Sequence, residues 1–212
     1  YDVATRKQEQ LPDGGAGLGG TANFTTFSPD GNFILEANGS GGIFQRDLTT
    51  GLYEPGDVTP GDPAAQPIAT GTEPDWSPDG KQLVYARGQF TVTGVGSASL
   101  ETLDWNGTSW STTPNVIVPF NGMNSYYPSF SPDSQWVLFN QSPGNHDSYS
   151  NAGGSQSGSA GDGQMWIVSK DGGPPVELAL ANKGGLSSWA KWVPAQMTYA
   201  GGDVLWLTFT SY

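Results

Sequence analysis

A five-residue motif recurs along this chain and strongly limits the folds that are open to it. The segment Phe27-Ser-Pro-Asp-Gly31 returns as Trp76-Ser-Pro-Asp-Gly80 and as Phe130-Ser-Pro-Asp-Ser134, and Trp192-Val-Pro194 is a weaker fourth copy. The prolines at positions 29, 78, 132 and 194 are separated by 49, 54 and 62 residues. Recurrence on a scale of roughly 20–50 residues is typical of proteins that stack one structural unit repeatedly. The motif therefore predicts a repeat architecture.

The motif itself predicts a tight turn between two antiparallel strands. Serine at the first position bonds onward, proline sets the backbone angle φ of the second, and glycine takes the left-handed conformation that follows. Such a type I turn with a bulge joins the two strands of a hairpin. The third copy has Ser134 at the glycine position, where a left-handed backbone costs roughly 1 kcal/mol. The aromatic residue before the turn is expected to pack between neighbouring sheets.

Each copy of the motif is followed by the same order of short apolar runs and turns. No 3.6-residue periodicity is present, and the 31 glycines and 16 prolines among 212 residues favour turns over long helices. Four strands per unit are therefore predicted, in an all-β fold of four-stranded antiparallel sheets. The second strand of the three units is predicted at Phe33-Ile-Leu35, Leu83-Val-Tyr85 and Trp136-Val-Leu-Phe139. The third strand is predicted at Ile43-Phe44, Leu100 to Leu103 and Met165-Trp-Ile-Val168.

The motif and the apolar strand after it resemble the PD40 (WD40-like) repeat of TolB-type β-propellers. The resemblance covers most of the chain, with three strong copies and one degenerate copy. It implies a β-propeller, in which four-stranded blades surround a central channel. The chain departs from the pattern at Ser134 and at Trp192-Val-Pro194, which lacks the Asp-Gly pair. Its repeats also exceed the usual ~40–45 residues.

The resemblance makes the chain a single propeller domain or a fragment of one, with about four blades' worth of strands. Its first residues align with the end of a third strand, and its last residues supply only a first and a second strand. Three arrangements would cover the open edge strands. The termini combine into a shared fourth blade, the chain is part of a larger ring, or two half-rings pair as a homodimer. We expect the fragment, because the first residue falls inside a strand and is not Met. The predicted units are closing strands at 1–19, blades at 20–70, 71–122 and 123–183, and opening strands at 184–212.

Composition excludes several classes of function. The chain has 8 Lys and Arg against 20 Asp and Glu, a net charge of −12, so no basic patch for nucleic acid or an anionic membrane surface is expected. Cysteine is absent and His146 is the only histidine, which excludes disulfides, thiolate catalysis and multi-histidine metal sites. No segment approaches the ~18 apolar residues of a membrane span. The chain has no Gly-x-Ser-x-Gly motif between a strand and a helix, where a serine nucleophile would be expected. A non-catalytic function is therefore favoured. Paired carboxylates such as Glu73 and Asp75 are expected to solubilise loops.

Long connections indicate the face on which a partner binds. In an antiparallel four-stranded blade, the second-to-third loops and the blade-to-blade links share one face, and only tight turns are expected on the other. The long segments 54–73, 86–98 and 140–163 and the shorter 121–126 fall on the first face. Loops longer than ~12 residues are usually functional or disordered. The predicted binding residues on this long-loop face are Tyr126, Tyr127, His146, Asp147, Tyr149 and Asp162.

The same long segment contains the candidate ligands of a metal ion. Asp147 and Asp162 lie in a Gly- and Ser-rich setting, and calcium takes carboxylate, amide and backbone oxygens. Their spacing matches no EF-hand loop, and the alternative is a solvated flexible insertion. No other cofactor is expected.

The resemblance to TolB-type propellers implies a function as well as a fold. It implies a non-catalytic interaction module that is exported to the periplasm or the outside of a bacterial cell and binds a protein partner through its long-loop face. The absence of cysteine is compatible with export. Two alternatives stay open, namely an accessory or gating domain of a larger prolyl-oligopeptidase-like hydrolase and a propeller that binds a small ligand or sugar in its channel. Self-association, or blades outside this chain that complete the ring, are further expected partners.

Overall fold

The computed structural model of the chain describes residues 22–59, 62–91, 94–143, 146–147, 163–184 and 187–211. Sixteen β-strands account for the regular structure in these ranges, together with one short 3-10 helix at Ala181–Gly184. No helix in the described part of the chain is long and apolar enough to cross a membrane. The prediction of an all-β fold is confirmed.

The first two sheets follow one another along the chain and pair their strands in sequence order. In the first sheet the fourth and fifth strands both pair with the third, and in the second sheet the fourth strand pairs with the third. The strands of the first sheet are β1 (Ala22–Phe27), β2 (Phe33–Asn38), β3 (Gly42–Asp47), β4 (Tyr53–Glu54) and β5 (Ala69–Thr70). Those of the second sheet are β6 (Thr72–Trp76), β7 (Gln82–Thr91), β8 (Gly94–Asp104) and β9 (Asn115–Val118).

The third sheet repeats this order, and the fourth is a two-stranded hairpin in the described residues. The short strand β12 (His146–Asp147) follows β11 in sequence but pairs with β8 of the second sheet. The remaining strands of the third sheet are β10 (Asn124–Phe130), β11 (Trp136–Ser142), β13 (Gln164–Ser169) and β14 (Val176–Glu177). The fourth sheet contains β15 (Ser187–Tyr199) and β16 (Gly202–Ser211).

The Ser-Pro-Asp motif forms the predicted turn between the first and second strands of three sheets. In the first copy the N–H of Ser28 donates to Phe33 O at 2.9 Å, and the Ser28 hydroxyl donates to Asp30 at 2.6 Å. The residue that closes the turn has a left-handed backbone in every copy, with φ of 75° at Gly31, 74° at Gly80 and 59° at Ser134. The turn prediction is confirmed, including the left-handed backbone at Ser134.

A second backbone feature repeats three residues before the motif aromatic. Glu73, Tyr127 and Trp189 have φ of 56°, 53° and 55°, and the pairing register of their strands shifts at these points. This β-bulge bends the first strand of the second, third and fourth sheets in the same place. In the first sheet the register shifts one position earlier, between Ala22 and Phe24. The degenerate copy at Trp192-Val-Pro194 therefore keeps the bulge, although its strand β15 continues to Tyr199 before it turns.

One hydrogen bond joins each sheet to the next at a repeated position. The residue before the motif aromatic accepts it, and the motif aromatic of the following sheet donates it. The pairs are Trp76 N to Thr26 Oγ1 at 3.4 Å, Phe130 N to Asp75 Oδ2 at 2.7 Å, and Trp192 Nε1 to Ser129 O at 3.0 Å. We call these three bonds the inter-sheet joints.

Apolar side chains fill the spaces between successive sheets and supply the main driving force for folding. One cluster, with Leu35 and Leu83, lies between the first and second sheets. A second, with Val84 and Phe139, lies between the second and third, and a smaller one around Met165 reaches the fourth. The motif aromatics Trp76 and Phe130 belong to these clusters, at 5% and 4% exposed, as the sequence predicts. The prediction is wrong for the first motif aromatic, Phe27, which is 60% exposed.

One predicted loop is wrong, because residues 86–98 contain the ends of two long strands. Strands β7 and β8 remain paired beyond Arg87, as far as Thr91 and Gly94. The segment is rich in Gly, Ser and Thr and therefore looks like a loop in sequence. Its glycines instead allow close packing, since a Cβ on Gly88 would collide with the carbonyl oxygen of Gly96.

Candidate binding cleft

The structure describes four of the six residues that the sequence places in one site. Tyr126 and Tyr127 lie in β10 and are 0% and 7% exposed, so their expected position in a link between blades is wrong. His146 and Asp147 form β12, paired with Val95 and Gly94 along the second sheet. Tyr149 and Asp162 lie outside the described residues. Binding by the long-loop face and a calcium site at Asp147 and Asp162 stay predictions.

Tyr127 lies at the meeting point of the four first strands. Its ring centroid is 6.0 Å from that of Phe24 and 4.3 Å from that of Trp189, and its backbone N–H donates to Glu73 Oε2 at 2.6 Å. These four residues occupy the same position in their repeats, three before the motif aromatic. The bulged positions thus converge, and Tyr127 packs among them as a core residue.

Glu73 and Asp75 connect sheets, so the expectation that they solubilise a loop is wrong. Both belong to β6 and accept backbone N–H groups of β10. Burial raises the pKa of Glu73 to about 8, against the opposing effects of the Tyr127 N–H and of Lys191. Burial likewise raises the pKa of Asp75 to about 6, opposed by Lys191 and the Phe130 N–H. These carboxyls hold the core together and do not open on a cleft.

Two adjoining cavities open between the first and second sheets, and tight turns and residues of the long segment 54–73 both line them. Their volumes are about 450 and 520 Å³, and both are lined by Phe33, Trp105 and Gly107. The cavity of about 450 Å³ lies beside the connection between β8 and β9, and the cavity of about 520 Å³ lies beside the first two Ser-Pro-Asp-Gly turns. We refer to the two together as the aromatic cleft.

Four aromatic rings form the wall of this cleft. The Trp110 centroid lies 4.9 Å from those of both Trp76 and Trp105. Phe33 of the first sheet lies 6.0 Å from Trp105, edge to face, and 6.4 Å from Trp76 in a stacked arrangement. Aromatic contacts at these distances add stability beyond the area they bury. The wall is therefore assembled from both sheets.

The loop that carries Trp105 and Trp110 is held in place by its own hydrogen bonds. The two tryptophans form an isolated β-bridge, and the Asn106 side chain accepts the N–H groups of Thr108 and Ser109, both at 2.9 Å. The Trp110 indole N–H donates to Gln45 Oε1 across the sheet boundary. The aromatic surface is thus preorganised before any ligand arrives.

The cavity beside the β8–β9 connection also carries negative charge, at Asp47 and Glu54. Burial raises the pKa of the Glu54 carboxyl, and neighbouring Asp57 and Asp47 raise it further. The described ion pairs involve other carboxylates, at Asp79, Glu101 and Asp171. No group of three or more His, Cys, Asp or Glu side chains within the described ranges could hold a metal ion. The cleft combines flat aromatic surface with carboxylates, a chemistry suited to noncovalent recognition.

Sequence reasoning missed this cleft, although a signal for it is present. Two tryptophans flank a tight Asn-Gly turn in Trp105-Asn-Gly-Thr-Ser-Trp110. The sequence identifies the turn but not the side chains of the first sheet that complete the wall. Phe33 and Gln45 are distant in sequence and meet the tryptophans only when the two sheets pack together.

The successive antiparallel sheets, packed face to face and linked at repeated positions, define a β-propeller fold. Among solved structures the chain is similar to TolB from Acinetobacter baumannii, at 15% identity and a TM-score of 0.51, over 87% of this chain and 40% of that one. It is also similar to a putative TolB from Agrobacterium tumefaciens, at 18% identity and a TM-score of 0.39, over 74% and 61% of the two chains. A third similar structure, prolyl oligopeptidase B from Galerina marginata, has 14% identity and a TM-score of 0.47, over 89% and 25%.

The chain thus spans less than two thirds of the length of each of these proteins. No protein-family model and no curated protein matches its sequence. The similarity to TolB supports the fold, and it leaves function to be argued from this chain's own residues.

Proposed function

We propose that this chain is part of an exported, non-catalytic β-propeller that binds a protein partner. The observation that carries the proposal is the aromatic cleft, an extended and preorganised surface between two sheets. Its two adjoining cavities, of about 450 and 520 Å³, offer a groove rather than a single enclosed pocket. Export is supported by the resemblance to TolB-type repeats and is compatible with the absence of cysteine.

The chemistry of the cleft suits a protein ligand. Tryptophan is enriched among the residues that dominate binding energy at protein interfaces, and the two tryptophans of the β8–β9 loop lie at the centre of the groove. Polar residues surround them, including Asn106, Thr108 and Ser109, which are exposed. A partly buried aromatic centre within a polar rim is the usual anatomy of an interface between proteins.

Site-specific photocrosslinking tests this proposal. We would place a benzoylphenylalanine at Thr108, on the rim of the cleft, and incubate the protein with extract of the source organism. The matched control carries the same group at Val176, which is 60% exposed on β14 of the third sheet. One defined protein crosslinked from position 108 and not from 176 is the expected result. Equal capture from both positions, or none from 108, would contradict partner binding in the cleft.

The long-loop face is a separate, sequence-based proposal and requires its own test. Deletion of residues 153–161, combined with Asp147→Asn and Asp162→Asn, removes the carboxylates and much of the Gly- and Ser-rich segment. Loss of calcium-dependent thermal stability or of partner capture would support that face. If neither property changes, the segment has no role in binding.

Cell fractionation of the tagged natural gene product tests export, and cytoplasmic retention would contradict it.

A further inference from the structure

The charge on the walls of the aromatic cleft restricts what the cleft accepts. Asp47 and Glu54 line the cavity beside the β8–β9 connection, and no lysine or arginine among the described residues lines it. The cavity beside the two Ser-Pro-Asp-Gly turns adds Asp30 and Asp79, together with Lys81. That ammonium group lies 3.7 Å from Asp79 and is largely exposed. Four carboxylates therefore share the cleft with one cation, in a chain of net charge −12.

Glu54 is the carboxylate with the most to gain from a ligand. It is half-buried, and Asp57 and Asp47 oppose its ionisation. A positive group that enters the cavity would stabilise the ionised form and offset this repulsion. An anionic ligand would add to the repulsion, and a neutral sugar would bury the carboxylates without a counter-charge.

The tryptophans supply the second half of a cation site. A guanidinium or ammonium group is attracted to the face of an indole ring, and the methylene stem of Arg or Lys packs well on apolar surface. Arginine is preferred because its planar group stacks on aromatic rings and also bonds carboxylates. The rings of Trp105 and Trp110, 4.9 Å apart and tilted by 44°, offer such faces beside the acidic wall.

From this arrangement we infer that the aromatic cleft binds an arginine or lysine side chain from a basic segment of the partner. The stem of that side chain packs against Trp105 and Trp110, and its charged end faces Glu54 and Asp47. The inference rests on the proposed function and specifies the chemistry of the ligand at the same site.

Peptide titration provides the test, with acetyl-Pro-Arg-Pro-amide as the probe. Its counterpart with citrulline has the same shape and no charge. Binding is followed by tryptophan fluorescence and calorimetry at low and high salt. We expect the arginine peptide to bind at least about tenfold more tightly than the citrulline peptide, equivalent to about 1.4 kcal/mol. We also expect its affinity to fall as salt rises.

Two sets of variants locate the binding in the cleft. Glu54→Gln removes a carboxylate that its neighbours repel, so the fold is expected to remain intact, and arginine-peptide affinity should fall about tenfold. Gln66 is an exposed residue of the same cavity and offers a matched pair: Gln66→Lys should weaken binding, whereas Gln66→Glu should not. Circular dichroism and thermal midpoints check that all three variants are folded.

Several results would overturn the inference. They are equal affinity for the two peptides, the absence of binding by either, an unchanged affinity in Glu54→Gln, and saturable binding of cellobiose that displaces the peptide. The two proposals fail separately. A partner crosslinked at Thr108 whose capture is unaffected by Glu54→Gln leaves the interaction module standing and contradicts the cation site. Tight arginine-peptide binding without any crosslinked protein supports the cation site and contradicts the protein partner.

Discussion

The hydroxyl of Ser134 accepts a hydrogen bond from the backbone N–H of Asp79 at 3.0 Å, although the two residues are 55 positions apart. The bond links the motif turn of the third sheet to that of the second. Ser134 is also the residue that replaces glycine in the third motif and has a left-handed backbone, with φ of 59°. The replacement therefore strains the backbone at this position, and the serine hydroxyl gains a hydrogen bond between two repeats.

Two substitutions at this position separate the contact from the strain. Ser134→Gly removes both, and since each is worth roughly 1 kcal/mol, we expect a net change in the free energy of unfolding of less than about 1 kcal/mol. Ser134→Ala removes the hydrogen bond and keeps the strain, so it should destabilise the fold by about 1 kcal/mol. Urea denaturation measures both. If the alanine variant were as stable as the glycine variant, the left-handed backbone would carry no cost.

The buried carboxyl of Glu73 predicts a stability that falls as pH rises. Its pKa is raised from an ordinary 4.5 to about 8, so between these values the folded chain keeps a proton that the unfolded chain releases. The free energy of unfolding then decreases with pH across this window, by up to about 1.4 kcal/mol per pH unit. Glu73→Gln removes this dependence and should be more stable than the natural chain at pH 8.

Asp75 contributes in the same direction at lower pH, because its pKa is raised from 3.8 to about 6. Glu73→Gln should therefore still lose stability between pH 4 and 6 and then level off, whereas the natural chain continues to fall. Chemical denaturation at half-unit pH steps would show this difference. Parallel curves for the two proteins from pH 6 to 8 would mean that Glu73 is ionised in the folded state.

Asn124 is expected to be an anchor between the second and third sheets. Its side chain accepts the N–H of Ala98 and donates to the carbonyl of Val95, both at 2.9 Å, and the residue is 2% exposed. Asn124→Ala should destabilise the fold by about 2–4 kcal/mol, since two buried hydrogen bonds are lost and their partners are left unsatisfied. Exposed Asn121 is the control, and its alanine variant should cost less than about 1 kcal/mol. Similar losses for both variants would contradict this role.

The hydrogen bond between Trp110 and Gln45 holds the cleft wall to the first sheet. Trp110→Phe keeps an aromatic ring but removes the indole N–H that Gln45 accepts, and Gln45 is 2% exposed. We expect a loss of about 1–3 kcal/mol in the free energy of unfolding. Trp206, which is 53% exposed on β16, serves as control, because Trp206→Phe should change stability by less than about 0.5 kcal/mol. A neutral Trp110→Phe would mean that this bond does not fix the loop.

The parts of the fold that sequence predicts are those whose chemistry is local. The Ser-Pro-Asp turn can be predicted because its own residues satisfy its hydrogen bonds. The bulge before it cannot, since Glu73, Tyr127 and Trp189 share a left-handed backbone that neither a glutamate nor a bulky aromatic side chain favours. The long β7–β8 hairpin is hidden for the opposite reason, because glycines such as Gly88 that suggest a loop are needed for close strand packing.

The candidate site is even less accessible to sequence reasoning than the fold. Loop length indicates the long connections, and one of them, segment 54–73, does contribute to the cleft. The aromatic wall of the cleft is instead formed by the short β8–β9 connection and by side chains of the first sheet. Phe33 and Gln45 lie in strands that look purely structural in sequence. Their role at the cleft depends on how the first sheet packs against Trp105 and Trp110, which no local pattern encodes.

The three inter-sheet joints all run in the same direction along the chain, from a donor in the later repeat to an acceptor in the earlier one. This shared direction affects how the number of repeats in such a chain can change during evolution. In each joint the earlier repeat supplies the acceptor, as at Thr26 and Asp75, and the later repeat supplies the donor. Every internal repeat therefore carries one half of two joints, although the third joint uses an indole N–H and a backbone carbonyl in place of a backbone N–H and a side-chain oxygen. Gain or loss of one complete repeat leaves the remaining joints intact, whereas a cut inside a repeat leaves a joint half made. Nearest-neighbour coupling of this kind favours growth and shrinkage by whole units.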